Sequence, residues 1–357
     1  MNTGPPVRHT YMDGSMVDAA RAGDQGAFAR LAEPYRHELQ VHCYRMLGSV
    51  EDAEDAVQET YLRAWARLDS YAGRAPFRAW LYGIATHACL DALRRRRARV
   101  WSTDVSGPAD PRDEPAPPLD VPWLQPYPDR LLEPPASPDT EPEAVVTAKE
   151  TIELAFLAAI QQLPARQRAV LILRDVLDWS AKSTAASMEM SQAAVNSALQ
   201  RAHATLAERL PPDRAAWTSA PNADERALLG QLIAAWEQAD TAALVGLLRA
   251  DARFVMPPRP TWYAGRDDIA VFLRDHVFGE LGTDWLLLPT AANHQPAFAL
   301  YRRAPGKPLH ERFGIGVLRV QDGAVAEIAT FRQPQVFASF ALPTAVRRQA
   351  DGSVRAG

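Results

Sequence analysis

Apolar residues in the first hundred positions recur every three to four residues, the spacing of helices that bury one face. Val17 to Leu31 and Pro34 to Leu47 carry this pattern through Phe28, Leu31, Leu39, Cys43, Met46 and Leu47, and Gly48 is a natural stop. Ser49 is a cap for a helix over Val50 to Leu68. Its stripe is Val50, Ala53, Val57, Tyr61, Ala64, Trp65 and Leu68, with Glu51, Asp52, Glu54, Asp55, Gln58 and Glu59 left outside. Pro76 suits the first turn of another helix, along which Phe77, Trp80, Leu81, Ile84, Ala85, Ala88 and Leu93 make one apolar face. The remaining face carries Arg78, Tyr82, His87, Asp91, Arg94 and Arg95 and runs out through Arg96, Arg97 and Arg99. Residues 1–16 have no periodicity and are expected to be a loose tail.

The pattern then breaks. From Trp101 to Pro142 prolines are so frequent that a packed domain is not expected there; proline removes amide donors and holds the chain extended, as in a semi-rigid linker. One island, Val121 to Pro134, holds Trp123, Leu124, Tyr127, Leu131 and Leu132, more apolar surface than a solvated linker needs, so it docks either on a partner or on its own chain. Helical spacing resumes at Val145, and Leu163 to Leu206 reads as helix, short helix, turn, helix, with Ser180 and Ser191 as caps. In the last helix Val195, Ala198, Leu199, Ala202 and Leu206 face inward. Ser191, Gln192, Asn196, Ser197, Gln200, Arg201 and His203 remain for the outer face, and amide side chains so spaced can read adenine edges in a major groove.

After a polar break that ends near Asn222 the pattern changes character. Helices over Ala223 to Ala239, Thr241 to Leu248 and Arg266 to Phe278 precede strands at Phe298 to Arg302, Arg312 to Val320 and Ala324 to Arg332. Asp322-Gly323 is a hairpin signal between the last two. Helices followed by a curled antiparallel sheet predict an α+β cone. Its interior candidates are Trp236, Phe254, Met256, Trp262, Tyr263, His276, Trp285, Phe313 and Phe331. Residues 341–357 are expected to be a second tail.

Composition narrows the class. The net charge of −4 means that nucleic-acid contact must come from local basic patches, and five arginines among residues 94–99 supply one. Beside them Tyr71, Phe77, Trp80 and Tyr82 are candidates to stack on unpaired bases. Cys43 and Cys89 are far apart in apolar patterns, which excludes a disulfide framework or metal-ligand spacing and fits a reducing cytosol. No apolar run reaches a membrane span, and the first residues lack a signal-peptide core, so a cytoplasmic protein is expected. There is no phosphate-cradling glycine loop and no Ser/His/Asp signature. His276, Asp251 and Tyr263 are the acid–base candidates in the cone, but no spacing makes them a catalytic pair; neither an enzyme, a cofactor nor a metal is expected.

At this point two long segments carry a resemblance. The run DAEDAVQETYLRAW (Asp52 to Trp65), followed by FRAWLYGIATHACLDALRRR (Phe77 to Arg96), resembles region 2 of bacterial extracytoplasmic-function sigma factors, the promoter-reading subunits of RNA polymerase. Leu163 to Leu206 resembles sigma region 4, and Asp224 to Phe340 is similar to the SnoaL-like family of the nuclear transport factor fold. The resemblance implies an all-α sigma region 2 at 17–100, a Pro-rich linker at 101–142, an all-α helix-turn-helix region 4 at 143–212 and a SnoaL-like domain at 222–340. It implies core RNA polymerase (β′ and β subunits) and promoter DNA as partners. Asp52, Asp55, Gln58 and Glu59 would dock on β′; Tyr71, Arg74, Phe77, Trp80, Tyr82, His87, Asp91, Arg94 and Arg95 would meet the −10 element; the outer face of the last helix would meet the −35 element, with Arg201 on phosphate. Relatives usually have Asn where His87 stands and Gly where Glu189 stands, and a non-glycine residue at positive φ is uncommon. Thr184 and Ser187 also replace apolar residues. For the C-terminal domain the expected role is regulation in cis, through a small ligand or an intramolecular contact. A free-standing ligand-sensing helix-turn-helix regulator and an enzyme with a DNA-tethering domain are the alternatives, and the acidic helix speaks against the first of these because such a regulator has no polymerase to dock on.

Overall fold

The computed structural model describes residues 9–73, 75–95, 99–132, 152–210, 221–279, 284–349 and 353–357, which form two compact units. The first contains Met1–Leu47, Glu51–Arg97 and Pro164–His203; the second contains Gly48–Val50, Ala98–Leu163 and Ala204–Gly357.

In the first unit the expected helix from Val17 to Leu31 is two: α1 (His9–Arg21), which begins inside the stretch expected to be a tail, and α2 (Gln25–Ala32). Gly23, at φ 96°, turns the chain between them, and Asp24 caps α2 by accepting from the Ala27 amide. Then come α3 (Arg36–Leu47), α4 (Val50–Ala66) and α5 (Phe77–Arg95). Their apolar faces meet around Leu39, Cys43, Tyr44, Met46, Ala53, Leu81, Ala85 and Cys89, all buried. His42 is also inside, its Nε2 at 2.9 Å from Thr86 Oγ1, and burial keeps it neutral with a pKa lowered to about 3. The two cysteines, remote in sequence, are neighbours here: burial first, then a hydrogen bond to Cys43, push the Cys89 thiol well above its ordinary pKa.

The second helical module of this unit runs Ala165–Leu171, continues through one wider turn at Ile172–Val176, and reaches Ala181–Ser187 and the long helix Gln192–Arg209. Ser180 accepts from the Ser183 amide and Ser191 from the Ala194 amide, as caps. Glu189 adopts φ 52°, the left-handed turn conformation that a non-glycine residue takes only uncommonly. The module packs on α3 and α5. Arg168 is buried and donates to the Met46 carbonyl, His87 Nε2 lies 2.9 Å from the Ser187 carbonyl, and the Tyr82 and Trp179 rings meet at 6.2 Å. Gly83 permits the approach, since a Cβ there would lie 3.1 Å from Ser187 Oγ.

The second unit is built on a curled sheet of eight strands, in the order β2-β1-β6-β5-β4-β3, with β7 on β5 and β8 on β7. The strands are β1 (Leu248–Val255), β2 (Trp262–Ala264), β3 (Asp284–Ala292), β4 (Gln295–Arg303), β5 (His310–Gln321), β6 (Ala324–Phe331), β7 (Ala345–Arg348) and β8 (Val354–Ala356). Pairing is antiparallel throughout except for β1 with β6, which is parallel. Helices Ala223–Glu237, Thr241–Gly246 and Arg266–Phe272 cover the concave face. The β5–β6 turn at Asp322-Gly323 has both residues at positive φ, the hairpin the sequence predicts. A second such turn, Asn293-His294, joins β3 to β4, and the sequence pattern did not mark β3 as a strand. The tail expected at 341–357 is instead β7 and β8; Arg348 is tied by a 2.7 Å ion pair to Glu237 on the first helix of this domain.

The proline-rich stretch is docked on this sheet. Ala109 and Leu119 amides donate to the carbonyls of Trp262 and Pro258, the Ala116 amide to Thr261 Oγ1 at 2.8 Å, and the Trp262 indole N–H to the Ser106 carbonyl at 2.8 Å. Arg259 donates to the carbonyls of Pro115 and Ala116. Asn293, at the hairpin tip, accepts from the Tyr127 amide and donates to the Ile152 carbonyl, both at 2.7 Å. The apolar island thus packs on its own chain, with Trp123, Leu124 and Tyr127 buried.

Candidate functional site

Three faces and one cavity hold the candidate residues. On α4 the buried stripe turns Asp55, Gln58 and Glu59 outward, with Asp52 half-exposed. Leu62 continues the same face one turn on and is 67 % exposed, a large apolar side chain left in water beside acids. Glu59 also holds Arg63 at 2.6 Å, and Arg63 reaches Asp91 on α5 at 2.7 Å. These contacts, led by the Arg63 hydrogen bond, keep the Asp91 carboxyl below the usual range, and Arg94 adds a second at 3.0 Å.

On α5 the aromatic residues divide. Tyr71, Phe77 and Trp80 cluster with ring centroids 5.2–5.4 Å apart. Phe77 and Tyr82 are each only 2 % exposed, which corrects the expectation that they present a face to a base: the helix turns both into its core side. Tyr71 and Trp80 remain half-exposed, and Arg94 and Arg95 are exposed at the helix end. His87 and Asp91 are engaged as described above. Arg74 lies outside the described residues.

The helix Gln192–Arg209 buries Val195, Ala198, Ala202 and Leu206, while Gln192, Asn196, Ser197, Gln200, Arg201 and His203 are all exposed, as is the cap Ser191. His203 is paired with Asp175. One side chain on this face is therefore already held by an acid of the wider turn at Ile172–Val176.

The cone encloses a cavity of about 400 Å³ between the sheet and the helices, and Trp236, Phe254, Met256, His276, Trp285 and Phe313 do line it. Trp262, Tyr263 and Phe331 do not: Trp262 faces the docked linker, Tyr263 stacks on Phe272 at 4.4 Å, and Phe331 packs on Trp101 at 5.8 Å. The acid–base candidates are not brought together. Asp251 is on the surface, 2.9 Å from Arg249, and His276 Nε2 lies 3.2 Å from the Pro111 carbonyl of the linker. What the sequence reading missed are the cations: Arg259, Arg302 and Arg332 also border the cavity.

Comparison with known proteins bears on all of this. Residues 31–99 match the Sigma-70 region 2 family and residues 153–206 the Sigma-70 region 4 family. The ECF RNA polymerase sigma factor SigG of Mycobacterium tuberculosis is 42 % identical over 321 residues, 89 % of this chain and 85 % of its own. The chain is an extracytoplasmic-function sigma factor. SigM of the same organism is 31 % identical over 205 residues, covering 57 % of this chain and 87 % of that one. The crystal structure of the extracytoplasmic-function sigma factor SigJ of M. tuberculosis shares the fold, with a TM-score of 0.56 at 22 % identity over 87 % of this chain and 98 % of that one. The architecture is therefore that of sigma regions 2 and 4 followed by an α+β domain. As a sigma factor the protein binds core RNA polymerase and promoter DNA to start transcription. Among the described residues no helix is long and apolar enough to cross a membrane.

Leu62 and the three cavity arginines are the functional candidates that sequence pattern did not single out. For Leu62 a signal existed: it interrupts the polar face Asp55, Gln58, Glu59 at helical spacing. The arginines lie in a loop, in β4 and just past the end of β6, and nothing local joins them.

Proposed function

We propose that Asp52, Asp55, Gln58 and Glu59, with Leu62 among them, form the surface that docks on the polymerase core. Tyr71, Trp80, Arg94 and Arg95 meet the −10 element, and Gln192, Asn196, Ser197, Gln200 and Arg201 the −35 element. The observation that carries this reading is the clean division of the Gln192–Arg209 helix, whose apolar side is buried while every candidate reader faces solvent. Transcription from promoters mutated at single positions tests it. Asn196→Ala and Gln200→Ala are expected to relax −35 preference, by about 1–3 kcal/mol at the cognate base. Equal loss on all sequences would exclude base reading by this helix.

The C-terminal domain, in this proposal, is a non-catalytic regulator that acts in cis by holding the linker. The hydrogen bonds that Arg259 and Trp262 donate to linker carbonyls, and that Asn293 accepts from the Tyr127 amide, support it, because a linker fixed along a sheet has less freedom to set the separation of regions 2 and 4. Truncation after Pro212 tests the role: promoter activity at equal protein level is expected to change, and indistinguishable activity would exclude regulation by this domain. A regulator acting without core polymerase is the lesser reading, and co-purification with core separates the two.

A further inference from the structure

The cavity of the C-terminal domain contains hydrogen-bond donors that the protein leaves unmatched. Trp236 (2 % exposed), Trp285 (6 %) and Thr330 (4 %) all line it, and neither indole Nε1 nor the threonine Oγ1 has a partner. A buried donor without an acceptor costs about 1–3 kcal/mol, and three around one hollow are an arrangement that an occupant with acceptor atoms would relieve. Around the same end the register brings cations together. Trp285 is the cross-strand partner of Arg302, and Thr330 near the end of β6 and Arg332 just beyond it both border the cavity. Arg302 and Arg332 both lie over the Phe313 ring, at 5.3 and 4.1 Å from its centroid. Arg332 sits at the rim, still exposed, and partial burial together with the charges of Arg259 and Arg302 holds its guanidinium below the ordinary pKa. The acids on the wall are otherwise engaged: Asp275 with Arg274 at 2.7 Å, and Glu114 at 4.0 Å from His276 Nδ1. Away from this end the wall is apolar, formed by Phe254, Met256 and Phe272.

We infer that the cavity binds a small organic acid with a flat apolar body. Its carboxylate lies between Arg302, Arg332, Thr330 and the Trp285 N–H, and its ring lies toward Phe254 and Phe272. The volume, about 400 Å³, suits a molecule of one or two rings. Glu114 and Pro115 of the linker close one side, so the occupant touches the linker and the domain together and favours the docked linker. The inference rests on the reading of this domain as a regulator and adds the ligand's chemical class and its route of action.

The test is calorimetric titration of the full chain with 2-naphthoate and with its neutral isostere 2-naphthamide. Naphthoate is expected to bind at least about tenfold tighter, as when a charge-assisted hydrogen bond replaces a neutral one. Arg332→Gln, at the exposed rim, should abolish the difference, and Trp285→Phe, which keeps the ring and loses only the N–H, should weaken both. Circular dichroism melts check that each variant is folded. Equal affinity for acid and amide, or no binding of either at millimolar concentration, overturns the assignment. Naphthoate should also slow tryptic cleavage after the exposed Arg112 of the linker; an unchanged rate removes the linker from the proposal. Because binding is read without transcription, its failure is distinct from failure of the truncation test, which addresses regulation itself.

Discussion

Glu153 and His42 are buried acid and base with opposite consequences for stability. Burial raises Glu153, with Arg319 only partly opposing, to a pKa of about 8, whereas its ordinary value is 4.5. The folded chain keeps that proton between pH 4.5 and about 8 while the unfolded chain releases it, so stability falls as pH rises through this window, by at most about 1.4 kcal/mol per unit. His42 is the reverse: lowered from 6.5 to about 3, it contributes stability that is lost as pH falls from 6.5 toward 3. Glu153→Gln is expected to flatten the decline between pH 5 and 8, measured by urea unfolding followed in the second unit, and an unaltered slope would exclude Glu153 as its source. At this scale the sequence was a partial guide. It put Cys43, Cys89 and His42 on helices, but the Thr86 that meets His42 and the Cys89 that meets Cys43 come from α5, more than forty positions away.

Helix α4 shows what one element can specify alone. Its stripe of Val50, Ala53, Val57 and Ala64 fixes the buried side, and geometry then leaves Asp55, Gln58, Glu59 and Leu62 in a row. Reversing Asp55 and Glu59 to Lys is expected to remove more than about 2 kcal/mol of affinity for core polymerase through like-charge repulsion. Far-ultraviolet circular dichroism should be unchanged, and unchanged core affinity would mean that another surface docks. Helix α5 is less self-explanatory. Arg94→Ala, at its exposed end, is expected to reduce the salt dependence of promoter binding by about one counterion whatever the −35 sequence. Tyr82, on the same helix, should show no such effect because its ring is turned inward toward His42 at 5.1 Å. A helix wheel assigned it to the polar face; a neighbouring helix and the Trp179 ring claimed it instead.

Over the whole of the first unit, regions 2 and 4 are packed together. His87 is held by the Ser187 carbonyl and Tyr82 by Trp179. We propose that these two modules part when the chain lies along a promoter. Trp179→Ala removes one aromatic pair, worth about 0.5–1.5 kcal/mol, and is expected to raise the affinity of the free chain for promoter DNA about two- to tenfold. Fluorescence anisotropy on labelled promoter measures it, and equal or weaker binding would show that the packed form does not compete with DNA.

What the sequence determined by itself was whatever depends on neighbours a few residues away: the helical stripes of regions 2 and 4, the caps Ser180 and Ser191, and the Asp322-Gly323 hairpin. These rest on backbone geometry and on one face meeting one core, and both are written locally. Only the tertiary structure decided where the proline-rich stretch lies, because its own backbone hydrogen bonds close only short local turns and its register comes from Trp262, Thr261 and Asn293. It also decided that β3 and the last strands join the sheet, since an edge strand is fixed by the partner that pairs with it. The cavity belongs to the same class: Arg259 comes from a loop, Arg302 from β4 and Arg332 from just past the end of β6, and their meeting around unmatched donors follows from the curl of the sheet, which no local pattern encodes.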